Sequence, residues 1–104
     1  MCEIHTGPYA HAFHLKGRDA ESPAVLEELE KIRKAGEAIR ALGMRFNAGH
    51  ALNYFNVQPV AALPGIRELH IGHAIVSRAV FVGMREAVRE MKRLMREAQH
   101  IRHL

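Results

Sequence analysis

Three short runs constrain this chain more than anything else in it. Cys2–His5 and Met44–Asn47 alternate apolar with polar side chains, Ile66–Ile71 does so from Glu68 onwards, and helix-patterned sequence separates the three. Successive side chains of a strand point to opposite faces, so each run has one apolar and one polar side. The apolar side takes Cys2 and Ile4, then Met44 and Phe46, then Leu69 and Ile71. The polar side takes Glu3 and His5, Arg45 and Asn47, Glu68 and His70. Strands alternating with helices argue for right-handed βαβ crossovers and a parallel sheet, an α/β fold. A sheet covered by helices on both faces would make its strands nearly continuous apolar runs. Here the second face is polar in all three. It is either open to water or lines the axis of a closed barrel, where Glu3, Arg45, Glu68 and the imidazoles would pair and shift one another's pKa values.

The intervening sequence supplies the helices. Ser22-Pro23 is a helix start, with serine as N-cap and proline at the first helical position. Val25, Leu29, Ile32, Gly36 and Ile39 then form one apolar stripe, with Glu27–Lys31 and Glu30–Lys34 as ion pairs on the wet side and Gly43 as the stop. Asn53 is expected to cap a short helix running to about Leu63, ended by Pro64-Gly65. Ala74–Val82 reads as an apolar helical segment broken by Gly83. A long amphipathic helix follows, directing Met84, Ala87, Val88, Met91, Leu94, Met95, Ala98 and Ile101 inward. After the turn-prone Thr6-Gly7-Pro8, residues 9–22 read as an irregular polar loop, long enough for a lid or binding loop. His11-x-x-His14 within it, with His5 nearby, lacks the further ligands that a zinc site needs, and reads as solvated histidines.

At 104 residues the chain is one domain at most, and its 48% apolar and 25% charged content is that of an ordinary globular protein. No apolar run approaches the roughly 18–20 residues needed to span a bilayer, so no membrane association is expected. The single cysteine excludes an internal disulfide and fits a reducing compartment. Cys2 reads as a small buried apolar residue rather than a nucleophile. The start Met1-Cys2-Glu3-Ile4 has no secretory pattern, and the expectation is a cytoplasmic protein. The net charge of +4 invites a nucleic-acid reading. Much of the excess, however, is interleaved with glutamates on the last helix, in pairs such as Glu86–Arg89 and Arg93–Glu97. No stacking aromatics accompany it, so nucleic acid is not an expected partner.

Gly-His-Ala followed by Leu or Ile occurs twice, at Gly49-His50-Ala51-Leu52 and Gly72-His73-Ala74-Ile75. Both histidines lie just past the end of a strand run, where (β/α)₈ barrels carry their reactive groups. Gly72-His73 also opens a helical segment whose backbone N–H groups suit a phosphate.

These residues carry a family resemblance. Glu3-Ile4-His5-Thr6-Gly7-Pro8-Tyr9-Ala10, Asn47-Ala48-Gly49-His50, Glu68-Leu69-His70-Ile71-Gly72-His73-Ala74-Ile75 and Met91-Lys92-Arg93-Leu94-Met95 resemble the C-terminal part of the pyridoxine 5′-phosphate synthase family. The resemblance implies a TIM barrel that condenses 3-amino-2-oxopropyl phosphate with 1-deoxy-D-xylulose 5-phosphate, without metal or organic cofactor. It implies that His50 is the proton donor and Glu3 the transition-state stabiliser. Gly72 and His73 match the pair that holds the amino-ketone phosphate. Ala51 stands where the family usually has a substrate-binding glycine, and a φ > 0 conformation there would be disfavoured.

A full barrel takes about 250 residues. The resemblance therefore implies that residues 1–104 are the C-terminal part of a single TIM-barrel domain, its last three strand–helix units, inactive alone. The full-length enzyme is expected to be a homo-oligomer with small phosphorylated substrates. Two other readings stay open: a non-catalytic α/β module binding a phosphorylated metabolite, and a subunit that completes a barrel with another chain.

Overall fold

The three alternating runs pair as one parallel sheet, in the order β1 (Cys2–His5), β2 (Phe46–Gly49), β3 (Ile66–His70). The structure is a computed structural model that describes residues 2–102, with side chains over residues 3–100. The readings made for the side chains of Cys2 and Ile101 lie outside the described residues. Between and after the strands come α1 (Gly7–Leu15), α2 (Pro23–Ala41), α3 (Val57–Ala61), α4 (His73–Val82) and α5 (Met84–Arg102). The chain is α/β.

Register aligns the rows of side chains that the parity argument anticipates. Glu3, Asn47 and Glu68 form one row, Ile4, Ala48 and Leu69 the next, and His5, Gly49 and His70 the last. Phe46 pairs with Ile66, and an irregularity beside it gives β3 one extra residue. That extra residue lets Ile66 and Leu69, three positions apart, both pack against the core. Phe46 and Ala48 are buried there with Val25, Ile32 and Ile39 of α2 and Tyr9 and Phe13 of α1. Gly36 lets α2 approach this closely, because a Cβ on it would enter the Phe46 ring.

Several expectations are corrected. Residues 9–22 are not an irregular loop, since residues 9–15 belong to α1. Pro8 fits the first turn of that helix, where its missing N–H costs nothing, and Tyr9 and Phe13 bury on one side one turn apart. The second strand is displaced by two residues, because pairing starts at Cys2 opposite Phe46 and leaves Met44 and Arg45 outside it. The short helix starts at Val57, not directly after Asn53. The Asn53 side chain instead accepts the N–H groups of Phe55 (2.8 Å) and Asn56 (2.9 Å), capping a turn before the helix. On α2, Lys31 pairs with Glu28, while the Arg33 fork takes both Glu30 and Glu37 in place of the expected Glu30–Lys34 pair.

Of the stripe expected on α5, Ala87, Met91 and Ala98 are buried, whereas Met84 and Val88 are exposed. The Glu86–Arg89 and Arg93–Glu97 pairs form on its wet side. Two side-chain donors fasten α5 to the α3 region: the Tyr54 hydroxyl to the Ala87 carbonyl (2.7 Å) and Gln58 Nε2 to the Leu94 carbonyl (3.0 Å). Helix α4 packs on α5 yet buries none of its own residues, and Phe81 is 84% exposed. Among the described residues no helix is long and apolar enough to cross a membrane.

Candidate active site

All three strands stop level with one another, at His5, Gly49 and His70. Beyond their C-terminal ends lies a cavity of about 790 Å³. The five residues expected from sequence, Glu3, His50, Ala51, Gly72 and His73, all line it. His5, Asn53 and His70 line it too. The carboxyl ends of parallel strands are where α/β sheets place their ligands. Arg45 is absent from the group: it lies with Arg40 and Arg67 around a separate depression. His11 and His14 are exposed on α1, and no three metal-ligating side chains cluster among the described residues.

The chain leaves β2 through a strained turn. His50 has φ 97° and Ala51 φ 60°, left-handed values that side chains with a Cβ disfavour. Ala51 therefore takes the very conformation that its methyl group opposes. Buried polar groups hold this turn in place. The Thr6 N–H donates to the Gly49 carbonyl (2.8 Å) and the Thr6 hydroxyl to the His50 carbonyl (2.6 Å). Asn56 Nδ2 donates to the Ala51 carbonyl (3.3 Å), and Asn56 is itself anchored where its carbonyl accepts the Tyr9 hydroxyl (2.6 Å). Thr6, Tyr9 and Asn56 are all at most 1% exposed, so each bond substitutes for water that cannot reach these groups. Burial pushes the Tyr9 phenol up, well away from neutral titration.

The ring of His50 is set from below by His5. The two rings stack with centroids 3.9 Å apart and an interplanar angle of 30°. The Gly7 N–H donates to His5 Nδ1 (3.1 Å), which makes that nitrogen the acceptor and leaves the ring proton on Nε2. A Cβ at Gly7 would enter the His5 ring.

The floor of the cavity is the polar face of the sheet. His70 Nδ1 lies 3.0 Å from Glu3 Oε2, and its Nε2 lies 3.5 Å from Glu68 Oε2. The hydrogen bond to Glu3, then that to Glu68, raises the His70 pKa above its ordinary value. Asn47, fully buried, donates Nδ2 to Glu68 Oε2 (3.4 Å), and its Oδ1 is buried without a hydrogen-bond partner.

The third wall is the start of α4. The first-turn N–H groups of a helix have no intrahelical acceptor and favour an anion. Gly72 precedes that turn with φ −121°, a value open to any residue, and a Cβ on it would meet no atom within 4 Å. Neither backbone conformation nor packing within the described residues calls for glycine there. Open space at Gly72 leaves room for a ligand to approach the backbone.

Sequence reasoning missed the parts played by Thr6, Tyr9 and Asn56, and the stacking of His5. Their signals are weak because each acts through a contact tens of residues away. Only Asn53-x-x-Asn56, a turn-type spacing, was visible locally.

A family model described as "Pyridoxal phosphate biosynthesis protein PdxJ" matches residues 1–97. A protein of Azoarcus sp. (strain BH72) named pyridoxine 5′-phosphate synthase is 84% identical over 98 residues, covering 94% of this chain and 39% of that protein. Relatives of the same name from Rhodopirellula baltica and Gloeothece citriformis are 56% and 52% identical, covering 89% and 90% of this chain and 35% and 36% of theirs. The chain thus spans 39% or less of the length of these three relatives.

Proposed function

Because the chain belongs to the PdxJ family of pyridoxal phosphate biosynthesis proteins, we propose that it carries part of a pyridoxine 5′-phosphate synthase active site. In this reading it is the last three strand–helix units of one TIM-barrel domain in a cytoplasmic homo-oligomer. The reaction joins 3-amino-2-oxopropyl phosphate to 1-deoxy-D-xylulose 5-phosphate. The observation that carries the reading is the gathering of Glu3, His50, Ala51, Gly72 and His73 around one cavity at the strand ends.

Each residue has a chemical task. Condensing an amine with a carbonyl and then dehydrating the adduct requires protons to be delivered repeatedly, and imidazole titrates in the right range. His50 is the donor, its ring held by the stack on His5 and its backbone by Thr6. Glu3 stabilises the positive charge that develops as the imine forms. Gly72 and His73 hold the phosphate of the amino-ketone, the glycine by letting it reach the first-turn amides of α4. Ala51 contacts the substrate through its backbone, which the left-handed turn presents to the cavity.

The test joins this chain in frame to the rest of the Azoarcus sp. relative and assays pyridoxine 5′-phosphate formation. His50→Ala is expected to lower kcat by about 10²–10⁴-fold, the usual worth of a positioned acid. Gly72→Ala is expected to raise KM for the amino-ketone phosphate while leaving the melting temperature unchanged, since no atom of the described residues lies within 4 Å of the added methyl group. Full activity in the His50→Ala form would overturn the reading. The 104-residue chain alone is expected to form no product.

The N-terminus of α4, which has no side-chain cap among the described residues, also favours a second reading, in which the isolated chain binds a phosphorylated metabolite without turning it over. Calorimetric titration of the isolated chain with 3-amino-2-oxopropyl phosphate tests it, and binding that survives Gly72→Ala would argue against this site.

A further inference from the structure

We propose that His70 is the positioning residue for Glu3, reaching over a side-chain-free gap at Gly49 to hold the carboxylate in the cavity; this rests on the reading above, in which Glu3 acts on the substrate. Glu3 and His70 stand on the two outer strands, with β2 between them. Strands lie about 4.8 Å apart, so the pair must bridge about twice that distance across the central strand. The bridge exists because β2 offers glycine at this point. A Cβ on Gly49 would lie 2.6 Å from Glu3 Oε1 and 2.9 Å from His70 Cβ, inside any real contact. Gly49 is not in a left-handed conformation, so the glycine answers to the crowding by the Glu3 carboxylate, the His70 side chain and the His70 carbonyl oxygen (2.9 Å) rather than to a turn.

Both ring nitrogens of His70 face carboxylates, Glu3 across the sheet and Glu68 two residues back on its own strand. The protonated ring satisfies both at once, whereas the neutral ring has a single N–H for two acceptors. Glu68 is tied in turn to the buried Asn47 of β2. The other titratable groups around the cavity are His5, His50 and His73. With Oε2 held by His70, Glu3 keeps Oε1, the oxygen above Gly49, for the charge that develops on the substrate. The raised pKa of His70 agrees with this arrangement.

The proposal has a kinetic and a spectroscopic test. In the full-length protein made by joining this chain to the rest of the Azoarcus sp. relative, His70→Ala is expected to lower kcat by about 10–100-fold, the scale of a misplaced catalytic group, with little change in KM. His70→Gln, which still donates but does not titrate, is expected to recover most of kcat and to lose the alkaline limb that His70 gives the parent profile. Gly49→Ala, which closes the gap, is expected to match His70→Ala. An unchanged kcat and pH profile in His70→Ala overturns the proposal. So do equal losses in the Ala and Gln variants with the alkaline limb intact, which would mark a merely structural role.

The second test needs no activity. In the 104-residue chain the His70 ring is titrated by NMR, and Glu3→Gln is expected to lower its midpoint. An unmoved midpoint overturns the pairing. If the joined protein is active but indifferent to His50→Ala, the functional reading fails on its own. The titration still judges the His70–Glu3 pair separately.

Discussion

Two residues in succession, His50 and Ala51, hold left-handed backbone with side chains that resist it. Such strain persists only where the surroundings over-determine the conformation, and here the anchors are Thr6 and Asn56. Ala51→Gly removes the methyl penalty without touching a hydrogen bond, and should stabilise the fold by about 1 kcal/mol, read as a higher urea midpoint. Thr6→Val should do the reverse, costing about 1–3 kcal/mol, because it leaves the His50 carbonyl without its donor. His70 adds a pH dependence at the same scale. Its folded-state pKa is raised, chiefly by Glu3, so the folded chain binds this proton more tightly than the unfolded chain does. That stabilisation is complete below the ordinary histidine value of 6.5 and is lost as pH rises through the folded-state value. The effect is modest, since the His70 side chain is 42% exposed and water screens the pair. Urea midpoints measured across neutral pH should therefore fall slightly in the parent chain, and His70→Gln should lack that component.

At the scale of elements, helix α2 shows how closely the chain must fit. Gly36 costs about 1 kcal/mol of helix propensity relative to alanine. It is nonetheless the residue that admits the Phe46 ring. Gly36→Ala should thus destabilise despite the better propensity, by about 1–3 kcal/mol of overpacking, as a calorimetric melt would show. The stripe of α2 was legible because it repeats over five turns and buries Val25, Ile32 and Ile39 as its period demands. Helix α1 was not legible, because Gly7-Pro8 has the chemistry of a turn as well as of a helix start. Thr6 precedes it as N-cap but makes no side-chain cap, having given its hydroxyl to His50. The site divides along the same line. Glu3, His50, Gly72 and His73 were readable from strand parity and motif, since each stands on or just past a strand. The supports from Tyr9 and Asn56 span 47 residues and leave no local pattern.

Taken together, the described residues leave much apolar surface exposed and two strand edges without a neighbouring strand. Val76, Val80, Phe81 and Met84 are all more than half exposed, and β1 and β3 are the two edges of a three-stranded sheet. Free edges beside exposed apolar side chains favour association. The isolated chain should therefore scatter light as a species larger than one protomer, and Val80→Glu with Phe81→Glu should shift it towards the monomer. The bridge across Gly49 bears on the order in which this molecule is assembled. Glu3 and His70 are 67 residues apart in sequence, and they meet only after both outer strands have docked on β2. Contacts of such separation bear the largest loop-closure entropy, so they should form late, behind the local packing of α4 on α5. A folding chain would then have its last pair of helices before it has either its docked strands or its site. In refolding followed by pulse-labelled NMR, the protection of helix amides should precede the upfield or downfield shift of the His70 ring.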